Sequence, residues 1–402
     1  MIVLLVITFV IIYFLINESK GSKDYFFNLP FIVSTPPLVG LIYFGIISKF
    51  NFVGKDGARY IVPIFNEISL IYVKALLCFS LLIYIIRSHT RINLIARDQS
   101  LPNTKESLTI LLVFYLTEKI ISAFNPSIHL LILFSELTNL SLILFITTLI
   151  INFRLNKSIY GFLLIGFLST ITFFIFTFDK GSLITLFSSI FLILLGSKKL
   201  NIKINAIKIN LLILMGGFLL PFLNFIEEYF FKNRSGAFNA LTEVMESSMF
   251  QNYFHIFYNP NCNYDQSISI INSVFSPLRA ILGLEMNIHQ HDFMEACFPV
   301  QRALGQGKGF GLINESLLSN ELPSYLYFSI CAIIFILIIE YFYFRFSLLG
   351  LLVYSQSIEL VYKLTRSDSI SSLFTLLYII IASLIIYLSI LFLKHNFNVY
   401  KE

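Results

Sequence analysis

Glu285, His289, His291, Asp292 and Glu295 stand within eleven residues of one another, the densest group of titratable side chains in the chain. On a helix, Glu285 and His289 share a face at i, i+4, and so do His291 and Glu295, a spacing that suits an acid/base pair or two ligands of a metal. No zinc spacing such as HExxH occurs, so no metal is expected. The group reads either as hydrogen-bonding side chains toward a hydroxylated ligand or as exposed polar residues. The cations ask for different chemistry. Arg279, Arg302 and Lys308, with Lys232 and Arg234 upstream, stand among aromatic residues, while Lys180, in Phe178-Asp179-Lys180-Gly181-Ser182, and Arg366, in Leu364-Thr365-Arg366-Ser367-Asp368, adjoin long apolar segments. An arginine fork matches two phosphate oxygens, whereas lysine acts as a point charge. An anionic ligand is the natural partner of the set. Taken singly, each is equally a solvated charge or half of a local pair, Asp179 with Lys180 and Asp368 with Arg366. Gly305, Gly307, Gly309 and Gly311 alternate in GQGKGFG. With no strand before it and no GxxxxGK[ST] pattern, that stretch reads as a flexible entry into the following apolar helix.

Positioning these residues falls to apolar segments. Of 402 residues, 57% are hydrophobic and 13% charged, with mean hydropathy +0.81, whereas soluble domains are about one quarter charged. The net charge of +5 is scattered, with no basic cluster of the kind a nucleic-acid surface needs. A membrane-crossing helix needs about 20 mostly apolar residues. The segments that qualify are 1–16, 31–48, 64–86, 107–124, 127–152, 159–178, 182–197, 209–226, 325–344, 347–362 and 371–393. The expected fold is therefore an all-α polytopic membrane protein of about eleven helices. The first segment, MIVLLVITFVIIYFLINES, has neither a basic start nor a small-residue cleavage site and reads as a retained span. Between the eighth and ninth segments lies a polar stretch of 98 residues, Glu227 to Ser324. It divides the chain into an N-terminal membrane bundle (1–226), a loop subdomain (227–324) and C-terminal membrane helices (325–402). Within the loop, Gly236 to Phe257 can form an amphipathic helix that lies on the membrane or packs on the rest of the loop.

Orientation follows from lysines and arginines in the short connections. Alternation puts Lys20, Lys23, Arg87, Arg91, Arg97, Lys105, Arg154, Lys157, Lys198, Lys199, Lys203, Lys208, Arg345, Lys394 and Lys401 inside, fifteen in all, against six outside: Lys49, Lys55, Arg59, Lys180, Lys363 and Arg366. The large loop is then external, with the N-terminus outside and the C-terminus inside. Cys78 and Cys331 fall in spans, while Cys262 and Cys297 fall in the loop and can pair if it faces an oxidising compartment. Lys180 and Arg366 run against the positive-inside bias. At headgroup depth, such fixed charges suit a lipid phosphate.

The stretch GKGFGLINESLLSNELPSYLY, Gly307 to Tyr327, resembles the Gly-Phe-x-x-x-x-Glu signature closing the outer loop of Wzy-type O-antigen polymerases, the bacterial oligosaccharide repeat-unit polymerases. LTRSDSISSLFTLL, with Arg366 and Asp368, is similar to the Arg-x-Asp element before a late span in that family. FTFDKGSLITLFSSIFL is similar to its basic-Gly-small turn, with Lys180 where arginine is commoner. The matches run from about Phe174 to Leu377. Leu322-Pro323 stands where a Gly-rich stretch is more usual, and the N-terminal spans match only in hydropathy.

The resemblance implies a GT-C-like membrane glycosyltransferase of the bacterial inner membrane with its site facing the periplasm. Such an enzyme transfers a growing glycan from its undecaprenyl diphosphate to the non-reducing sugar of a new lipid-linked repeat, without a cofactor and with a polysaccharide chain-length regulator as a possible partner. Arg366, Arg279 and Arg302 would then bind diphosphate with Lys180 in support. Arg234, His289 and Asp368 would contact substrate, and Glu315 or His291 would take the proton of the attacking hydroxyl. Glu315 can alternatively orient an arginine. The neighbouring readings are an O-antigen ligase and a lipid-linked-oligosaccharide flippase. A flippase would line a central cavity with its cations, against the clustering at one face seen here.

Overall fold

The computed structural model describes residues 29–35, 37–38, 52–53, 59–60, 62–89, 101–124, 127–154, 186, 188–190, 192–194, 275, 289–299, 303, 311–319, 321–366 and 368–399. The expected segments 1–16, 159–178 and 209–226, and the loop helix 236–257, lie outside them. Nearly all of the described chain is helical. The exception is a two-residue antiparallel pair, β1 (Phe52–Val53) with β2 (Arg59–Tyr60), in register Phe52 to Tyr60. The intervening sequence Gly54-Lys55-Asp56-Gly57 has turn-forming composition, which the reading as purely helical passed over.

In chain order the helices are α1 (Val62–His89), α2 (Thr104–Ala123), α3 (Ile128–Arg154), α4 (His289–Cys297), α5 (Gly311–Leu317), α6 (Ser324–Arg345), α7 (Leu348–Ser355), α8 (Ser357–Arg366) and α9 (Ser369–Val399). Among the described residues, four stretches are long and apolar enough to cross a membrane: Ser69–Ile86 in α1, Leu130–Asn152 in α3, all of α6, and Ser369–Lys394 in α9. Four of the segments expected as spans are thus helices of membrane length. The α2 segment is also helical, but Lys105 and Glu106 at its start together with Glu118 and Lys119 near its end keep it out of that group.

Residues 347–362 depart from expectation. They form no continuous span but two short helices, with a turn at Gln356 whose N–H bonds to the Val353 carbonyl at 3.2 Å. The apolar run is interrupted by Ser355-Gln356-Ser357, all buried. Beyond the break, α8 is amphipathic. Leu360, Val361 and Leu364 are buried, and Glu359 and Lys363 are half-buried at i, i+4. Tyr327 near the start of α6 and Ser369 at the start of α9 both bond to Glu315, so the two helices begin side by side.

Contacts group the chain into two compact units. One comprises Met1–Asn93, Ile204–Ile336 and Val361–Leu373, the other Leu94–Lys203, Leu337–Leu360 and Phe374–Glu402. In the first, α1 packs on the start of α6. Phe79 meets Phe328 edge-on at 6.1 Å, and the Ser329 hydroxyl donates to the Tyr325 carbonyl at 2.6 Å and approaches the Ala75 carbonyl at 3.4 Å. Small hydroxylated residues let the backbones come close and satisfy their own polar groups internally, as helices in an apolar solvent require.

In the second unit, α2 and α3 form an antiparallel pair. The Ser107 and Thr148 hydroxyls bond at 2.7 Å, and the Asn152 amide donates to Thr104. A capping box fixes where α2 starts: the Asn103 side chain accepts the Glu106 N–H at 2.8 Å, and Glu106 accepts the Asn103 N–H at 3.0 Å. In the same unit α7 lies directly on the end of α6. Tyr343 and Tyr354 rings sit 4.3 Å apart, and a β-carbon on Gly350 would stand 2.1 Å from the Phe342 carbonyl oxygen. Only glycine fits there.

Candidate functional site

A short helix, α5, delivers the central carboxylate. Gly311 opens α5 at φ +70°, a left-handed conformation natural to glycine. From Gly311 to Ser316 every residue of α5 is buried. Glu315 has no exposed surface, and its carboxylate meets the first turns of two membrane-length helices. Glu315 Oε1 accepts the Tyr327 hydroxyl of α6 at 2.6 Å and the Ser369 hydroxyl of α9 at 2.6 Å; Oε2 accepts the Ser369 N–H at 2.6 Å.

Asp368 belongs to the same group. It is the N-cap of α9, with Oδ1 accepting the Ser371 N–H at 2.8 Å and its carbonyl accepting the Ser372 hydroxyl at 2.9 Å. It too has no exposed surface. Two carboxylates therefore sit at one helix N-terminus, where free N–H groups and the helix dipole favour negative charge. Burial pushes the Glu315 carboxyl up to about 7 from its ordinary 4.5. The nearby Asp368 charge pushes the same way, and the bonds from Ser369 and Tyr327 act against both. α5 also walls a small apolar cavity with Val33, Pro37, Phe328 and Leu364.

The other residues singled out by sequence are distributed as follows. Arg366 is the last residue of α8, two positions before the Asp368 cap; its side chain lies outside the described residues. His289 opens α4, also without a described side chain. His291 and Glu295 are both exposed, one turn apart on α4, while Phe293 and Met294 are buried. That agrees with a shared face for the pair. Among the described residues His291 makes no hydrogen bond to the Glu315 group. Lys180, Arg234, Arg279 and Arg302 lie outside the described residues, as does Cys262. Cys297, the last residue of α4, is disulfide-bonded, and Cys78 and Cys331 are free.

Sequence reasoning did not single out Tyr327 or Ser369, the two side chains that hold Glu315. Ser369 had a signal: an Asp followed by a long apolar run marks Asp368 as an N-cap and Ser369 as the first helical residue. Tyr327 had none beyond its place near the start of a span. Chemically, the group is a buried carboxylate that accepts three hydrogen bonds and joins α5 to the first turns of α6 and α9. No family model, no curated protein and no solved structure matches the chain.

Proposed function

We propose that the protein polymerises undecaprenyl-diphosphate-linked oligosaccharide repeat units at the outer face of a bacterial inner membrane. One observation carries the reading. The two segments with the strongest resemblance to oligosaccharide repeat-unit polymerases, Gly309-Phe310…Glu315 and Arg366-x-Asp368, meet through bonds of 2.6 Å between Glu315 and Ser369, 54 residues apart. A disulfide at Cys297 supports placing the loop in an oxidising compartment. The full reading is an eleven-helix bundle of GT-C type with the loop on the periplasmic side, and its partners are two lipid-linked oligosaccharides.

The chemistry asks for cations and for one proton acceptor. Breaking the bond between the sugar carbon and the diphosphate leaves positive charge on the carbon and negative charge on the leaving group. Arg366, Arg279 and Arg302, with Lys180 in support, would stabilise that departing anion. Arg234, His289 and Asp368 would hold substrate. His291, exposed on α4, is open to an acceptor hydroxyl, whose proton passes to the imidazole as the new glycosidic bond forms.

Glycan analysis of a deletion strain tests the reading. Loss of a polymerase leaves single repeats attached to the lipid anchor. A strain with no repeats attached would point to a ligase, and repeats trapped inside would point to a flippase; either outcome removes the proposal.

A further inference from the structure

Glu315 closes the signature through which the chain resembles a polymerase, yet its surroundings suit a different task from proton transfer. We propose that Glu315 is a positioning residue: by gripping the first residue of α9 it fixes the Asp368 cap, two residues after Arg366, against α5, and it is not the proton acceptor. The consequence for substrate rests on the polymerase reading; the grip does not.

Three observations converge. A proton acceptor has to come within about 2.6–3.2 Å of the hydroxyl it serves, and Glu315 has no exposed surface to offer one. Its oxygens already hold three donors at 2.6 Å, from Tyr327 on α6 and from the hydroxyl and N–H of Ser369 on α9. Withdrawing the carboxylate would strand those donors in a buried site, which is the expensive way to lose a hydrogen bond. The third observation is where the grip falls. Ser369 N–H goes to Glu315 and Ser371 N–H to Asp368, so the two carboxylates together define the start of α9. Arg366, the end of α8, lies only two residues before that cap. Small displacements of such a residue matter, because about 1 Å of misplacement can cost about a hundredfold in rate.

The test uses the full-length protein in nanodiscs with undecaprenyl diphosphate as the probe. Glu315→Gln keeps shape and an Oε1 acceptor but turns an amide N–H toward the Ser369 N–H, so it should speed hydrogen exchange at residues 369–372 by about tenfold. The same variant should weaken probe binding by about tenfold. Ser369→Ala and Tyr327→Phe each remove one bond and should shift both readouts in the same direction by less. Tyr327→Phe added to Glu315→Gln removes the bond that the amide Oε1 still accepts and should speed exchange at 369–372 further than Glu315→Gln alone.

Polymer lost in Glu315→Gln with exchange and probe affinity at wild-type values would identify a proton acceptor and overturn the proposal. Should Glu315→Gln fail to accumulate, the two hydroxyl variants decide. Unchanged exchange at 369–372 in both overturns the grip, and faster exchange supports it. If the wild-type protein ignores the probe while Glu315→Gln still loosens the start of α9, the grip stands and the diphosphate reading falls.

Discussion

A carboxyl group without exposed surface, facing a second carboxylate, leaves a trace in the pH dependence of stability. Glu315 is raised to about 7, chiefly by burial. Between its ordinary value and the raised one, the folded protein holds a proton that the unfolded chain has released, so stability falls as pH rises. The contribution is complete below about 4.5 and gone once the pH has passed about 7. Thermal unfolding should therefore show a midpoint that drops from pH 5 to 7.5, and Glu315→Gln should flatten that slope; an equal slope in both proteins would contradict it. Arg366 supplies a second expectation. If it binds the departing diphosphate, Arg366→Ala should abolish polymer while the protein accumulates, since losing a transition-state charge contact costs about 3 kcal/mol, roughly a hundredfold. Arg366→Lys should restore part, because an ammonium cannot make two parallel bonds. If Arg366 serves only to hold Asp368, protein level should fall with polymer, and Asp368→Ala should behave alike.

Among the helices, α7 depends most visibly on one residue. Gly350 brings its backbone against the Phe342 carbonyl, and an added methyl at 2.1 Å meets main chain that cannot swing aside. Gly350→Ala should lower folded protein by about 1–3 kcal/mol of destabilisation, read as reduced accumulation and a lower unfolding midpoint. Wild-type values would mean that α7 can slide. The same region shows what sequence could and could not disclose. Residues 64–86, 127–152, 325–344 and 371–393 announced themselves because long apolar runs have few alternatives to a helix. Residues 347–362 looked the same at that resolution, although Ser355-Gln356-Ser357 and the Glu359–Lys363 pair mark the break once α7 and α8 are seen. Hydropathy averages over a window and therefore blurs a turn that three adjacent polar residues create.

For the molecule as a whole, the charge split of the connections is the strongest guide to orientation. A cysteine placed near Asn263 should react with an impermeant maleimide added outside, and one near Asn201 should not; the reverse pattern would reject the orientation. The composition of the site was more legible than its connectivity. Glu315 and Asp368 stand out in sequence as acids beside apolar spans. Nothing local, however, tells that a residue at 315 will bond to one at 369, because no period or motif links positions 54 apart.

The contact between α1 and α6 has a temporal side. Ala75 and Ser329 are 254 residues apart, and a ribosome adding about 5–20 residues per second takes on the order of 10 to 50 s to make that interval. Through all of it, the side of α1 that bears Ala75 and Phe79 waits in the bilayer without the helix that finally covers it. Whatever shelters that face meanwhile, lipid or an insertase, has to be displaced when α6 arrives, so assembly of this unit is paced by synthesis of the chain's last quarter.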